Sequence, residues 1–208
     1  MFPLPTGLAA GGRGEHPTHT LTRTENPMTC CGTSVGLIVQ NDRDEYLMIT
    51  RGWWPRGTAP VAGHIRDAHD NADEAAAAEA AEEVGLTIYA SKEVWSGHLT
   101  NLCASPPAEV PGHHWSLRRA TIWAGTVTAA PGETRGAAWY SHKALRAMAE
   151  RTLAHYRAGG TPATQPHDSL EAVWLRLLVE ANEFCFDDTA LAEVEKAYST
   201  APAEYWRG

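Results

Sequence analysis

The sequence predicts an α/β fold with a helical C-terminal extension, and three observations carry that expectation. Residues 72–84 hold the start, interior and stop signals of a helix; short β-favouring runs flank it on both sides; and from residue 168 onward apolar side chains recur at the helical period. A chain of 208 residues is long enough for one domain with a core of its own plus extensions. Its 43% hydrophobic and 20% charged content is that of an ordinary globular chain, and no apolar run approaches the ~20 residues that span a bilayer. A formal charge of −8, with no block of four basic residues, argues against nucleic acid or an anionic membrane as partner.

In chain order, residues 1–27 are rich in Gly, Pro and Thr, lack periodicity and contain no apolar stretch fit for a secretory signal. They are expected to form a disordered N-terminal tail. The patterned sequence then divides into a domain at 28–165 and a helical extension at 166–208. Cys30, Cys31, Cys103 and Cys185 form no CxxC pair, which favours reduced thiols in the cytoplasm. A zinc site drawing on Cys30 or Cys31, Cys103 and one of His98, His113 or His114 matches no standard ligand spacing, and buried free cysteine is the commoner fate.

Residues 33–39 and 46–50 read as a strand pair joined by a polar turn. The loop that follows gathers Arg51, Trp53, Trp54 and Arg56, a combination suited to gripping a nucleotide through aromatic faces and guanidinium forks; the bland alternative is that the tryptophans roof the core. Asn71 and Glu74 then make a capping box, alanines fill positions 75–78, and Gly85 is placed for a left-handed helix stop. On the intervening helix Glu79 lies one turn before both Glu82 and Glu83, so three carboxylates share a face. No lysine or arginine occurs between Arg66 and Lys92, although seven acidic residues do. Crowded carboxylates raise one another's pKa, a cost that a hard divalent cation removes. Read alone, such a helix is more often a solvated acidic face.

Beyond the helix, residues 86–99 predict one long or broken strand, 100–115 a loop with three prolines, and 116–128 another strand in which Arg118 and Arg119 point to opposite faces. His113, His114 and Trp115 at the loop's end could line a cleft. A strand at 137–140 leads into a helix begun by Ser141, with Leu145, Met148, Ala149, Leu153 and Tyr156 on its apolar face. Asp168 and Glu171 suggest a second capping box, opening a helix with Leu170, Val173, Trp174, Leu177, Leu178 and Ala181 on one side. A shorter pattern of Leu191, Val194 and Tyr198 follows Asp187–Asp188. These C-terminal faces either pack on the core or form a homodimer contact. Residues 166–208 hold three basic and nine acidic side chains, which disfavours an appended DNA-binding domain.

The spacing of Gly63, Glu79, Glu82–Glu83 and Gly85–Leu86 resembles the Nudix box, a glycine loop leading into a helix that ends in R-E-hydrophobic-x-E-E-x-G-hydrophobic. Ala78 stands where the family carries arginine, Asp70 is the nearest match to its loop glutamate, and the loop is one residue longer. The resemblance implies a Nudix-like α/β/α sandwich with a mixed β-sheet, and hydrolysis of a diphosphate linkage in a nucleoside diphosphate derivative such as a nucleotide sugar, dinucleotide or nucleoside triphosphate. It implies Glu79, Glu82 and Glu83 as Mg2+ (or Mn2+) ligands, with help from the carbonyl of Ala62 or Gly63. A box glutamate, or Glu133 in the loop before the last helix, would be the base. Arg51, Arg56 and Arg66 are candidates for phosphate, and Trp53, Trp54 and His114 for the rest of the nucleotide. Ala78 motivates a second reading, a Nudix-fold sensor that binds without hydrolysing. A purely structural protein leaves the acidic cluster without a use.

Overall fold

The computed structural model describes residues 29–132 and 134–203; the expected tail at 1–27 and the candidate base Glu133 lie outside them. In chain order the elements are β1 (Thr33–Ile38), β2 (Tyr46–Arg51), β3 (Thr58–Ala59), β4 (Val61–His64), α1 (Ala72–Val84), β5 (Thr87–Leu99), β6 (His113–Ala124), β7 (Thr134–Tyr140), α2 (His142–Arg157), a 3-10 turn (Pro162–Thr164), α3 (Ala172–Glu180) and α4 (Asp188–Tyr198).

Two sheets form the centre. The larger has the order β4-β1-β6-β5 and is mixed, because β1 runs parallel to β6 while its other pairings are antiparallel. The smaller has the order β3-β2-β7. The predicted β1–β2 pair therefore needs correction. The polar turn forms, with Asn41 N–H donating to Glu45 O and Leu47 N–H to Val39 O, but the strands then part into different sheets. A strand has only two edges, and β4 and β6 occupy both of those on β1.

Alternation along the strands builds an α/β/α sandwich. Val35, Leu37 and Val39 with Leu47 and Ile49 pack on Ala75, Ala76, Ala80 and Val84 of α1. Ile38, Tyr46, Met48 and Leu117 belong to the opposite layer with α2, α3 and α4. The small alanines let α1 lie close to the sheet. Asn71 Oδ1 accepts from Glu74 N–H at 3.0 Å, while Glu74 reaches back to Asp70 N–H and not to Asn71 itself. At the other end Gly85 is left-handed at φ 70° and Leu86 N–H returns to Ala80 O.

The second predicted capping box does not form. Residues 169–171 run extended beside β3: Thr58 N–H donates to Ser169 O at 2.7 Å and Glu171 N–H to Thr58 O at 2.9 Å. Thr58 is only 1% exposed, so its backbone groups need these partners, and that need overrides a local helix start. The helix begins at Ala172, and Glu171 turns inward instead of capping. The apolar face of α3 is buried within its own chain. Trp174 is fully buried, sits edge-on to Trp115 at 5.9 Å between ring centroids, and lies where a Cβ on Gly36 would come within 2.6 Å of its ring.

Candidate functional site

The acidic helix is clasped to β4. A methyl group on Gly63 would lie 1.6 Å from Glu79 Oε1 and 2.0 Å from its carboxyl carbon, so the missing side chain is the space the carboxylate occupies. One residue earlier, Ala62 N–H donates to Glu83 Oε2 at 3.3 Å. Glu82 is exposed on the same helix. Glu79 and Glu83 thus meet β4 at Gly63 and Ala62, while Glu82, one turn from Glu79 on the same helix, faces solvent.

Across β4 the pleat reverses the view. Ala62 and His64 face the other layer, beside a cleft of about 180 Å3 lined by Gly63, His64, Arg51, Glu171, Asn101 and His113 among others. Arg51 and Glu171 meet there with 3.5 Å between Nε and Oε2, yet neither of those two buried atoms has a hydrogen-bond partner. Burial pushes the Glu171 carboxyl upward, and the Arg51 charge opposes the shift only in part.

A family model of the NUDIX domain matches residues 32–177. The chain belongs to this family. Among solved structures it is similar to the MutT NUDIX hydrolase from Burkholderia pseudomallei (16% identity, 53% of this chain and 83% of that one, TM-score 0.45). It is also similar to the NUDIX domain of Shewanella oneidensis NrtR, solved with ADP ribose (11%, 75% and 88%, TM-score 0.49), and to a NUDIX-family hydrolase from Clostridium perfringens (18%, 72% and 95%, TM-score 0.46). No curated protein matches the chain. Among the described residues no helix of this Nudix protein is long and apolar enough to cross a membrane.

The other candidate residues of the Nudix domain are dispersed. Trp53 is 40% exposed. Trp54 and Arg56 line a crevice beside the C-terminal helices that adjoins the cleft, the two sharing Pro55, Asn101, Leu102 and Glu171. There Arg56 is engaged by the chain after α2, donating to Ala163 O at 2.6 Å with His167 Nε2 2.8 Å away. Arg66 is exposed on the loop between β4 and α1. Arg118 and Arg119 do face opposite ways, and each is spoken for: Arg118 pairs with Asp73 at 2.6 Å and Arg119 with Glu183.

The histidine pair differs from expectation because β6 starts at His113, three residues before the predicted strand. Strand alternation then turns His113 inward, where it is 2% exposed, and His114 outward toward Ser96. Of this pair His113 is thus the one that lines the cleft, as His64 also does. Beside it stand Cys30, Cys103 and His64; His64 was not singled out in the sequence because it follows the box glycine with no ligand spacing to mark it. Burial disfavours charge on His64, but Cys30 and Asp67 outweigh it and raise its pKa. The Cys103 thiol is drawn down to about 7, foremost by its hydrogen bond with Cys30.

The buried Glu171 makes a testable link to stability. A carboxyl whose folded pKa is raised contributes stability that is fully present below the unfolded value and is lost as pH rises through the folded one. Glu171→Gln cannot titrate, so its melting temperature relative to wild type should climb as pH increases from below 4.5, the ordinary carboxyl value, toward neutrality. Thermal scans of both proteins across that range check it; a difference independent of pH would contradict the buried-acid assignment.

Proposed function

We propose that this Nudix protein is a metal-dependent hydrolase that cleaves a diphosphate linkage in a nucleoside diphosphate derivative: a nucleotide sugar, a dinucleotide or a nucleoside triphosphate. The observation that carries the reading is the clasp between α1 and β4, in which Glu79 fills the space over Gly63 and Glu83 takes the N–H of Ala62. This donor set fits a hard divalent ion. Carboxylate oxygens and a backbone carbonyl suit Mg2+, with Mn2+ as a substitute, and they offer no soft ligand. Glu79, Glu82 and Glu83, with Gly63, would hold it. When bound, the ion supplies charge neutralisation of the diphosphate and acidification of water.

The chain's own groups supply the rest. Glu79 and Glu83 are oriented in advance by β4, so little freedom is lost when they engage a ligand. A box glutamate or Glu133 takes the proton from the attacking water. Arg51, on the cleft that Gly63 also lines, presents its guanidinium to phosphate oxygens, and the exposed face of Trp53 offers a surface for a base. Trp54, Arg56, Arg66 and His114 are more distant candidates for substrate contact in this scheme. The four free cysteines suit the reducing cytoplasm.

Ala78 favours a second reading, in which the site binds a nucleotide without hydrolysing it. One experiment separates the two. Phosphate and nucleoside monophosphate release is measured over a panel of nucleotide sugars, ADP-ribose, dinucleotides and nucleoside triphosphates, with Mg2+, with Mn2+ and with EDTA. Turnover that EDTA abolishes is expected. Nucleotide binding without turnover across the panel would replace the hydrolase by the sensor.

A further inference from the structure

On the face of β4 opposite the glutamates, four side chains from four separate segments converge. Cys30 precedes β1, His64 ends β4, Cys103 lies in the loop after β5, and His113 begins β6. One ligand atom from each lies within 4.8 Å of all the others. Cys30 Sγ is 3.1 Å from His113 Nε2 and 3.4 Å from His64 Nε2, and the two Nε2 atoms are 3.3 Å apart. We propose that Cys30, His64, Cys103 and His113 form a closed tetrahedral Zn2+ site.

Three observations support this. The distances approach those of a shared coordination sphere: Zn–N of about 2.0–2.1 Å and Zn–S of about 2.3 Å at tetrahedral angles put two nitrogens about 3.3 Å apart and nitrogen from sulfur about 3.6 Å, against 3.3 Å between the two Nε2 atoms, 3.1 and 3.4 Å from them to Cys30 Sγ, and Cys103 Sγ within 4.8 Å of all three. The histidines are oriented for it. His64 Nδ1 lies 2.9 Å from Asp67 Oδ2 and His113 Nδ1 lies 2.9 Å from Asn101 O, and both partners can only accept. Each Nδ1 therefore carries its proton, and in neutral rings the two Nε2 lone pairs point at each other. The Cys30 thiol, the one in hydrogen-bond reach of both, has a single proton to give, and the Cys103 thiol donates to Ser105 O. A cation can satisfy both.

The sulfurs are prepared as well. Gly32 N–H donates to Cys30 Sγ at 3.3 Å and Ser105 N–H to Cys103 Sγ at 3.4 Å, the polarity a thiolate needs; the Cys103 thiol's own bond to Ser105 O, at 3.6 Å, is given up with its proton. Two thiolates and Zn2+ sum to zero charge, which suits the half-buried to buried position of the ligands. Cys31 turns toward Thr33 and groups with His64 and the exposed Asp67 instead of with Cys103 and His113, and His98 and His114 are exposed on the outer face of the strands. With four protein ligands no position is left for water, so the site is structural. It would fasten the chain before β1 and the loop at 100–112 to the end of β4, at the rim of the cleft.

The test is independent of hydrolysis. The full chain, purified under reducing conditions and dialysed against excess Mg2+, is expected to retain about one equivalent of zinc by elemental analysis, as a closed site should. After metal removal, Co2+ should give the intense visible bands of a tetrahedral ion together with thiolate-to-cobalt charge transfer, which carboxylates cannot produce. Cys103→Ser should weaken the charge-transfer band and the retention of zinc, and Cys185→Ser should change neither. The wild-type spectrum decides the matter even where a ligand variant fails to fold. Weak six-coordinate absorption without charge transfer, absence of retained zinc, or a Cys30–Cys103 disulfide in the purified chain would each overturn the proposal.

Discussion

Gly63→Ala should lower metal-dependent turnover by about 100-fold or more while leaving the fold standing. The added methyl group meets the far end of a flexible side chain, 1.6 Å from Glu79 Oε1, and no backbone atom is among the three nearest. The protein relieves that overlap by swinging the carboxylate away, which is cheap for stability and costly for a site that depends on its position. Glu82→Gln, which removes a carboxylate charge outright, provides the comparison. Kinetics at saturating and limiting Mg2+ with a thermal scan of the same preparation check it. A Gly63→Ala protein of wild-type activity would show that the Glu79 carboxylate does no work at this spot.

Trp174→Ala should produce the largest loss of stability in the chain, about 3–5 kcal/mol, or a melting temperature lower by roughly 10 °C for a domain of this size. Its indole is fully buried between Gly36 of β1, Leu117 of β6 and the edge of Trp115. Gly36 has no side chain to move into the void and the strands flanking β1 are fixed by their own ladders, so the cavity cannot close. Denaturant titration reads the effect. A loss below 1 kcal/mol would mean that α3 is a detachable element, and the larger loss would make it part of the domain.

Where the sequence was legible, the information was local. Helix α1 has its bounds at Ala72 and Val84 as expected, because cap, alanine interior and glycine stop all act within a few residues. Ser141 and Asp187 cap α2 and α4 by the same logic. The box spacing identified the family, since a motif on a helix repeats one pitch wherever it occurs. What could not be read was decided by contacts distant in sequence. The separation of β1 from β2 depends on β4 and β6 claiming both edges of β1. Asp168 and Glu171 look like a capping box, but Thr58, more than a hundred residues earlier, takes the backbone of residues 169–171. The Cys30, His64, Cys103, His113 group spans most of the domain, so no spacing rule for metal ligands could collect it.

The four residues of β4 also bear on how this protein can change. The Glu79 carboxylate lies on one face of the strand and the sulfur and imidazole groups on the other, with Gly63 and His64 as adjacent neighbours. Side chains on a strand swap faces with each step, so losing or gaining a single residue between Val61 and His64 would present the imidazole to the oxygen donors and break both groups at once. Length variation among related sequences should therefore accumulate in the turns that flank this strand and stop at its ends. The pleat works as a spacer that keeps hard and soft donors apart by the thickness of one backbone.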